Sequence, residues 1–277
     1  MIPAEFDYVA PASLDEAIAA LTDGGEDAKL LAGGHSLLPL MKLRLAAPSL
    51  LVDLRRVPDL AGVQRNGGVR VGALTTHTTV AGAGLGLVSA AAATIADPQV
   101  RNRGTIGGSL AHGDPASDLP AVVLAAEGTI VARGRDGERE IAAADFFRDY
   151  LETALAHDEV VTEVRLPDSD GWSFGYQKFN RRQEDWAMVA VCALVRVQDG
   201  TVADARIGLT NMGGTPLRAS AAEDALRGQP FGAVPIAEAA EQASEGTSPP
   251  ADLNASADYK RHLARVLCRR ALEQAAG

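Results

Sequence analysis

The sequence predicts an α+β protein with more than one folding unit. Up to Leu166, short strand-like runs are interleaved with helix-like ones, whereas after Pro167 three long strand-like runs come first and the helices follow. Interleaved order points to mixed α/β layers, and segregated order to a separate sheet covered by helices. The third observation is a pair of double-glycine stretches, Leu30 to Arg44 (LLAGGHSLLPLMKLR) and Gly104 to Pro120 (GTIGGSLAHGDPASDLP), that interrupt the apolar periodicity. The expected units are residues 1–57, 58–170 and 171–277.

Each element has its own signal. Ser13 to Leu21 opens with a capping serine, carries acids in its first turn and spaces Leu14, Ala17, Ile18 and Leu21 along one face, the pattern of an amphipathic helix. Asp23-Gly24-Gly25 ends it, and Ala28–Ala32 and Leu50–Leu54 read as short strands. Val69–Leu74 alternates like a strand, Thr78 is expected to cap a short helix, Gly82–Gly86 reads as a turn, and Leu87–Ile95 is helical by composition. An apolar helix is expected over Ala121–Ala126. Gly128–Ala132 and Glu138–Ile141 flank Gly134–Gly137 as a hairpin, Asp145–Leu155 reads as a helix, and Glu159–Leu166 as a strand closed by Pro167. Beyond it lie three strands, Phe174–Phe179, Met188–Val197 and Val202–Leu209, then helices at Ala219–Leu226, Ile236–Ala243 and Ala257–Ala275.

Composition narrows the function. The 277 residues carry a net charge of −10 with no long basic run, which argues against nucleic-acid binding. No 18-residue uncharged apolar window is present, so no membrane span is expected. The opening MIPAEFDYVAP lacks the basic-then-apolar order of a secretory signal, and the cytoplasm is the expected location. Two cysteines, Cys192 and Cys268, cannot supply the four thiolates of an iron–sulfur cluster.

Gly104 to Pro120 is read as a loop, because glycine and proline penalise both sheet and helix interiors. Gly33-Gly34 and Gly107-Gly108 suit a concave anion site made of consecutive backbone N–H groups, with Ser36, Ser109 or Thr105 as hydroxyl donors. Two such loops suggest two walls of one long site for a flavin dinucleotide. No GxxxxGK[ST] occurs and no GxGxxG opens a helix, so neither a P-loop nor a Rossmann site is supported. Asp114 and Asp118 are either an acid–base pair or turn and cap residues, with the turn reading favoured for Asp114. The five histidines form no spaced metal pairs, and His77 and His157 are given no chemical role. Arg181 to Trp186 is either a solvated hairpin with a tryptophan anchor or a loop that lays an indole against a flat ring.

These motifs in this order resemble the FAD-binding medium subunit of molybdenum hydroxylases, of the carbon monoxide dehydrogenase medium-chain type, with the xanthine dehydrogenase FAD domain more distant. The resemblance rests on Ala32-Gly33-Gly34-His35-Ser36, on Pro98 to Gly108, on His112 to Asp118, on Asp145-Phe146-Phe147, on Glu159 to Val164, on Arg181 to Ala187 and on Arg261 to Leu267. It implies a vanillyl-alcohol-oxidase-type (PCMH-type) FAD-binding fold of two α/β subdomains, plus a C-terminal three-stranded sheet with three helices. It further implies that Ala32, Gly33, Gly34, His35 and Ser36 cradle the pyrophosphate, with Leu31 and Leu37 flanking them among the cofactor-binding residues. Thr105, Ile106, Gly107, Gly108 and Ser109 would run along the dinucleotide, and Ser117 and Asp118 would meet its ribityl and phosphate region. Val161, Lys178 and Trp186 would lie at the flavin. FAD is expected to be non-covalent, with no catalytic side chain and no metal ligand on this chain. A large molybdopterin subunit and a small [2Fe–2S] subunit are the implied partners, in a dimer of heterotrimers. Two other readings stand beside this one, a self-contained flavin oxidase of the same fold and a flavin-binding assembly protein without turnover.

Overall fold

The structure, a computed structural model, describes residues 2–277. The first unit is a parallel sheet of β1 (Asp7–Val9), β2 (Ala28–Leu31) and β3 (Leu50–Asp53) in the order β1-β3-β2, with α1 (Leu14–Gly24) and α2 (Leu37–Lys42) between strands. Ser13 caps α1 by accepting from the Glu16 N–H at 3.2 Å, and Ala17, Ile18 and Leu21 pack with Ala28 and Val52.

The second unit holds an antiparallel sheet in the order β4-β5-β10-β6-β7. Its strands are β4 (Val63–Arg65), β5 (Val69–Gly72), β6 (Thr129–Gly134), β7 (Gly137–Ala142) and β10 (Val160–Leu166). Five helices, α3 (His77–Gly82), α4 (Leu87–Ala92), α5 (Pro98–Arg101), α6 (Ile106–His112) and α7 (Asp118–Ala125), come between β5 and β6. After β7 come α8 (Ala143–Phe146) and a small ribbon, β8 (Phe147–Asp149) with β9 (Glu152–Thr153).

The third unit is the antiparallel sheet β11 (Trp172–Phe179), β12 (Val189–Gln198), β13 (Thr201–Thr210) and β14 (Leu217–Arg218), followed by α9 (Ser220–Leu226), α10 (Ala233–Glu241) and α11 (Ala257–Ala276). The three long strands and three helices match the expected order, and two-residue β14 is added at the edge. Alternation along β12 explains its unbroken apolar run. Val189, Val191, Ala193 and Val195 face α9–α11, while Ala190, Cys192 and Leu194 enter the core of the second unit. Both faces of this sheet are therefore dry, and the second and third units share a core.

Three local expectations are corrected. Gly104 to Pro120 is not one loop, because Ile106–His112 is helical and α7 begins at Asp118. Thr105 caps α6 by accepting from the Gly108 N–H at 3.2 Å, and backbone bonds from Ile106 N and Gly107 N to Thr75 and Ala73 carbonyls dock its first turn. Such docking outweighs the intrinsic helix cost of two glycines, which is about 1 kcal/mol each. Pro120 falls in the first turn of α7, where its missing N–H costs no helical bond. Asp145–Leu155 is not a helix, since the chain turns at Leu151 (φ 57°) to form β8 and β9. The cap of α3 is Thr76, two residues before Thr78, because it is Thr76 Oγ1 that accepts from the Thr79 N–H at 3.3 Å.

Candidate functional site

A cavity of about 610 Å³ opens where the three units meet. This lies within the ~300–1,000 Å³ typical of cofactor sites. One wall is the loop between β2 and α2, and a second is the start of α6. The floor comes from α7 and β10, and the third unit contributes the end of β11 and the loop after it.

The two glycine loops touch each other. An added Cβ at Gly33 would run into the Arg103 carbonyl and lie 2.9 Å from Gly104 Cα, so bare backbone is what lets the loops close. Gly34 sits at φ 78°, a region that side chains with a Cβ rarely adopt. At Gly107 a Cβ would lie 2.8 Å from the backbone of Ala73, within the core. Glycine is thus required first for protein packing, and the cradle for a ligand follows from it. Ser36 and Ser117 each precede a helix, yet neither hydroxyl caps it, which leaves both available at the cavity. The hydroxyl of Thr105 already accepts the capping N–H.

Of the residues singled out from sequence, Leu31 to Leu37, Thr105, Gly107, Gly108, Ser109, Ser117, Asp118, Val161, Lys178 and Trp186 all line this cavity. Ile106 does not, because its side chain points into the core with no exposure. Asp114 serves a turn, accepting from the Ala116 N–H at 2.8 Å. Trp186 is 57% exposed and belongs to no core cluster, which removes the packing-anchor reading.

Asp118 is buried, and burial raises its pKa, opposed by Lys178 and by hydrogen bonds from Tyr176 and Lys178. The Tyr176 hydroxyl donates to Asp118 Oδ1 at 2.6 Å, and Lys178 Nζ donates to Oδ2 at 2.9 Å. Burial, with the adjacent Asp118 charge, pushes the Tyr176 phenol well above its ordinary value.

Sequence reasoning named His35 but gave His77 and His157 no role. His35, His77, His112 and His157 all line the cavity. His77 begins α3, with Ala73 to Thr76 between it and the end of β5, and its N–H donates to the Gly104 carbonyl at 2.9 Å. Burial, reinforced by His35 and Arg101, lowers its pKa to about 4, so its ring is neutral. Its Nδ1 is buried without a hydrogen-bond partner among the described residues. Its place just beyond a strand end, before a helix that the glycine loop abuts, was the available signal.

The family model described as the FAD binding domain in molybdopterin dehydrogenase matches residues 4–169. The model of the CO dehydrogenase flavoprotein C-terminal domain matches residues 174–275. The chain belongs to this FAD-binding dehydrogenase family. It is 43% identical to the carbon monoxide dehydrogenase medium chain of Hydrogenophaga pseudoflava, over 99% of this chain and 98% of that one. Among solved structures, carbon monoxide dehydrogenase from Hydrogenophaga pseudoflava superposes with a TM-score of 0.96 at 44% identity, covering 100% of this chain and 99% of that one. Quinoline 2-oxidoreductase from Pseudomonas putida 86 gives 0.94 at 36% identity, with 100% and 98% covered. As a member of this FAD-binding dehydrogenase family, the chain is an oxidoreductase subunit with the PCMH-type α+β fold.

The residues present suit FAD. Closely packed glycine loops lie beside uncommitted hydroxyls, and a buried ammonium and a half-exposed indole lie on the wall from the third unit. The orphaned Nδ1 of His77 adds an unsatisfied polar atom on the wall from the second unit.

Proposed function

We propose that this chain is the flavin-bearing relay of a three-subunit molybdenum hydroxylase. The observation that carries the reading is a single cavity into which all three units send residues, with the glycine loops on two walls and Lys178 and Trp186 on another. In this reading Ala32 to Ser36 hold the pyrophosphate, flanked by Leu31 and Leu37, and Thr105 to Ser109 line the path of the dinucleotide, with Ile106 acting from the core side. Ser117 and Asp118 lie at the ribityl and phosphate region, and Val161, Lys178 and Trp186 at the flavin. Residues 1–57 and 58–170 form the two FAD-binding subdomains, and 171–277 closes the site. Bound FAD would supply the redox chemistry, accepting electrons from one partner and yielding them to another, while this chain binds, orients and tunes it.

Two buried cysteines cannot supply the four thiolates of a [2Fe–2S] cluster, and in this reading the clusters sit on a small partner and the molybdopterin on a large one. The assembly is proposed to be a dimer of such heterotrimers in the cytoplasm. No helix among the described residues is long and apolar enough to cross a membrane.

The test is reconstitution. The purified full chain should bind FAD that acid precipitation releases into the supernatant. A hydroxylation substrate should bleach that flavin only when the large and small subunits are added. Bleaching by substrate with this chain alone would identify a self-contained oxidase. No bleaching even with both partners would identify an assembly protein.

A further inference from the structure

Both carboxylate oxygens of Asp118 are already engaged within the protein. Tyr176 takes Oδ1 and Lys178 takes Oδ2, at 2.6 and 2.9 Å. The Asp118 and Lys178 side chains are each 5% exposed. Lys178 Nζ also donates to the Thr94 carbonyl at 3.3 Å, which leaves its third proton with no acceptor among the described residues. Tyr176 and Lys178 are two residues apart on β11 and so share the sheet face that meets the second unit. A buried ammonium is tolerated only with a counter-charge and hydrogen bonds, and Asp118, reaching across from the start of α7, supplies them.

The other charged groups around the cavity are differently placed. Glu159 pairs with Arg139 and Asp185 with Arg182, both arginines well exposed. Lys29, Glu184 and the four histidines complete the titratable lining. Lys178 is the cavity-lining cation whose ion-pair partner is itself buried. Water therefore screens its field little, and Asp118 is the charge that offsets it.

We propose that Asp118 is a positioning residue, which with Tyr176 pins the Lys178 ammonium to the cavity wall, and that Lys178 makes the bound flavin easier to reduce. This rests on the FAD reading above. A fixed positive charge in a dry site favours added negative charge, and it does so without reorganisation at the moment of electron arrival.

The measurement is the two-electron midpoint potential of the FAD-loaded full chain, by equilibration with reference dyes, in wild type, Lys178→Met, Lys178→Arg, Asp118→Asn and the Asp118→Asn/Lys178→Met double variant. Lys178→Met should lower the equilibrium constant for reduction at least tenfold, which for a two-electron couple is a fall of about 30 mV. Lys178→Arg keeps the charge and should stay near wild type. Asp118→Asn should shift the potential when Lys178 is present and have no further effect when it is methionine, the signature of action through one residue. An equal Asp118→Asn shift in both backgrounds would show that Asp118 meets the flavin directly and would overturn the positioning role. An unchanged potential in Lys178→Met would overturn the role of the lysine. If Asp118→Asn does not fold, Tyr176→Phe replaces it, and its shift must likewise vanish beside methionine. Wild-type chain that takes up no FAD at all would sink the cofactor reading itself, an outcome visible before any variant is compared.

Discussion

At the scale of single residues, three substitutions separate what the cavity needs from what the fold needs. Gly33→Ala places a Cβ against the Arg103 carbonyl, and the loops must part to admit it. Its expected cost is about 1–3 kcal/mol of stability, as for other overpacked sites, together with a large loss of FAD affinity. Denaturant melts and flavin titration read both. Trp186→Ala should do the reverse. More than half exposed, Trp186 should contribute no more than about 0.5 kcal/mol to stability, while its loss brightens the fluorescence of bound flavin. Equal brightness in variant and wild type would mean that the indole does not reach the ring. His77 gives a pH signature. Its folded pKa of about 4 lies below the ordinary 6.5, so the unfolded chain binds the proton more readily. The contribution is fully present above about pH 6.5 and is lost as pH falls toward 4. Replacing His77 with glutamine should flatten this part of a stability-versus-pH curve. A curve of unchanged slope would return the acid sensitivity to other groups.

At the scale of elements, α6 is short and glycine-rich, and it persists because its first turn is docked and capped. Thr105→Ala should therefore cost about 1 kcal/mol and loosen the wall that carries Gly107 and Gly108. Unaltered amide exchange in residues 106–112 would show that docking to the 73–75 segment suffices alone. Elements with strong periodicity or alternation, such as α1, α11 and β10 to β13, were legible in sequence nearly to their ends. Those decided by tertiary contact were not. The helix over Ile106–His112 contradicts its own propensities, and Asp145–Leu155 has a helical composition that the turn at Leu151 overrides. The site was legible to the extent that glycine pairs and hydroxyls announce close backbone approach. His77 and His157 were invisible because a solitary histidine carries no pattern, and the partners of Asp118 because Tyr176 and Lys178 lie 58 and 60 residues away.

At the scale of the whole molecule, the cavity draws its lining from all three units, so a ligand there should tie them together. With free FAD at about 100 times its dissociation constant, linkage alone adds about 2.7 kcal/mol to stability. Calorimetry should show one cooperative transition that moves several degrees upward on adding FAD, and a midpoint indifferent to FAD would count against binding in this cavity. The feature with the widest reach is α7. Seven of its eight residues are buried, it packs on β12 and β13 as well as on α4, and its first residue forms the ion pair to β11. An added Cβ at Gly208 would strike the Ala121 carbonyl, which shows how closely the two backbones meet there. A chain cut in the exposed Pro167–Gly171 segment would leave this helix half-naked and a carboxylate without its cation. Neither half should then be soluble when expressed alone, yet the cut crosses no element of the fold. The two halves made together have every reason to find each other, which makes the gene divisible at that point although the protein is not.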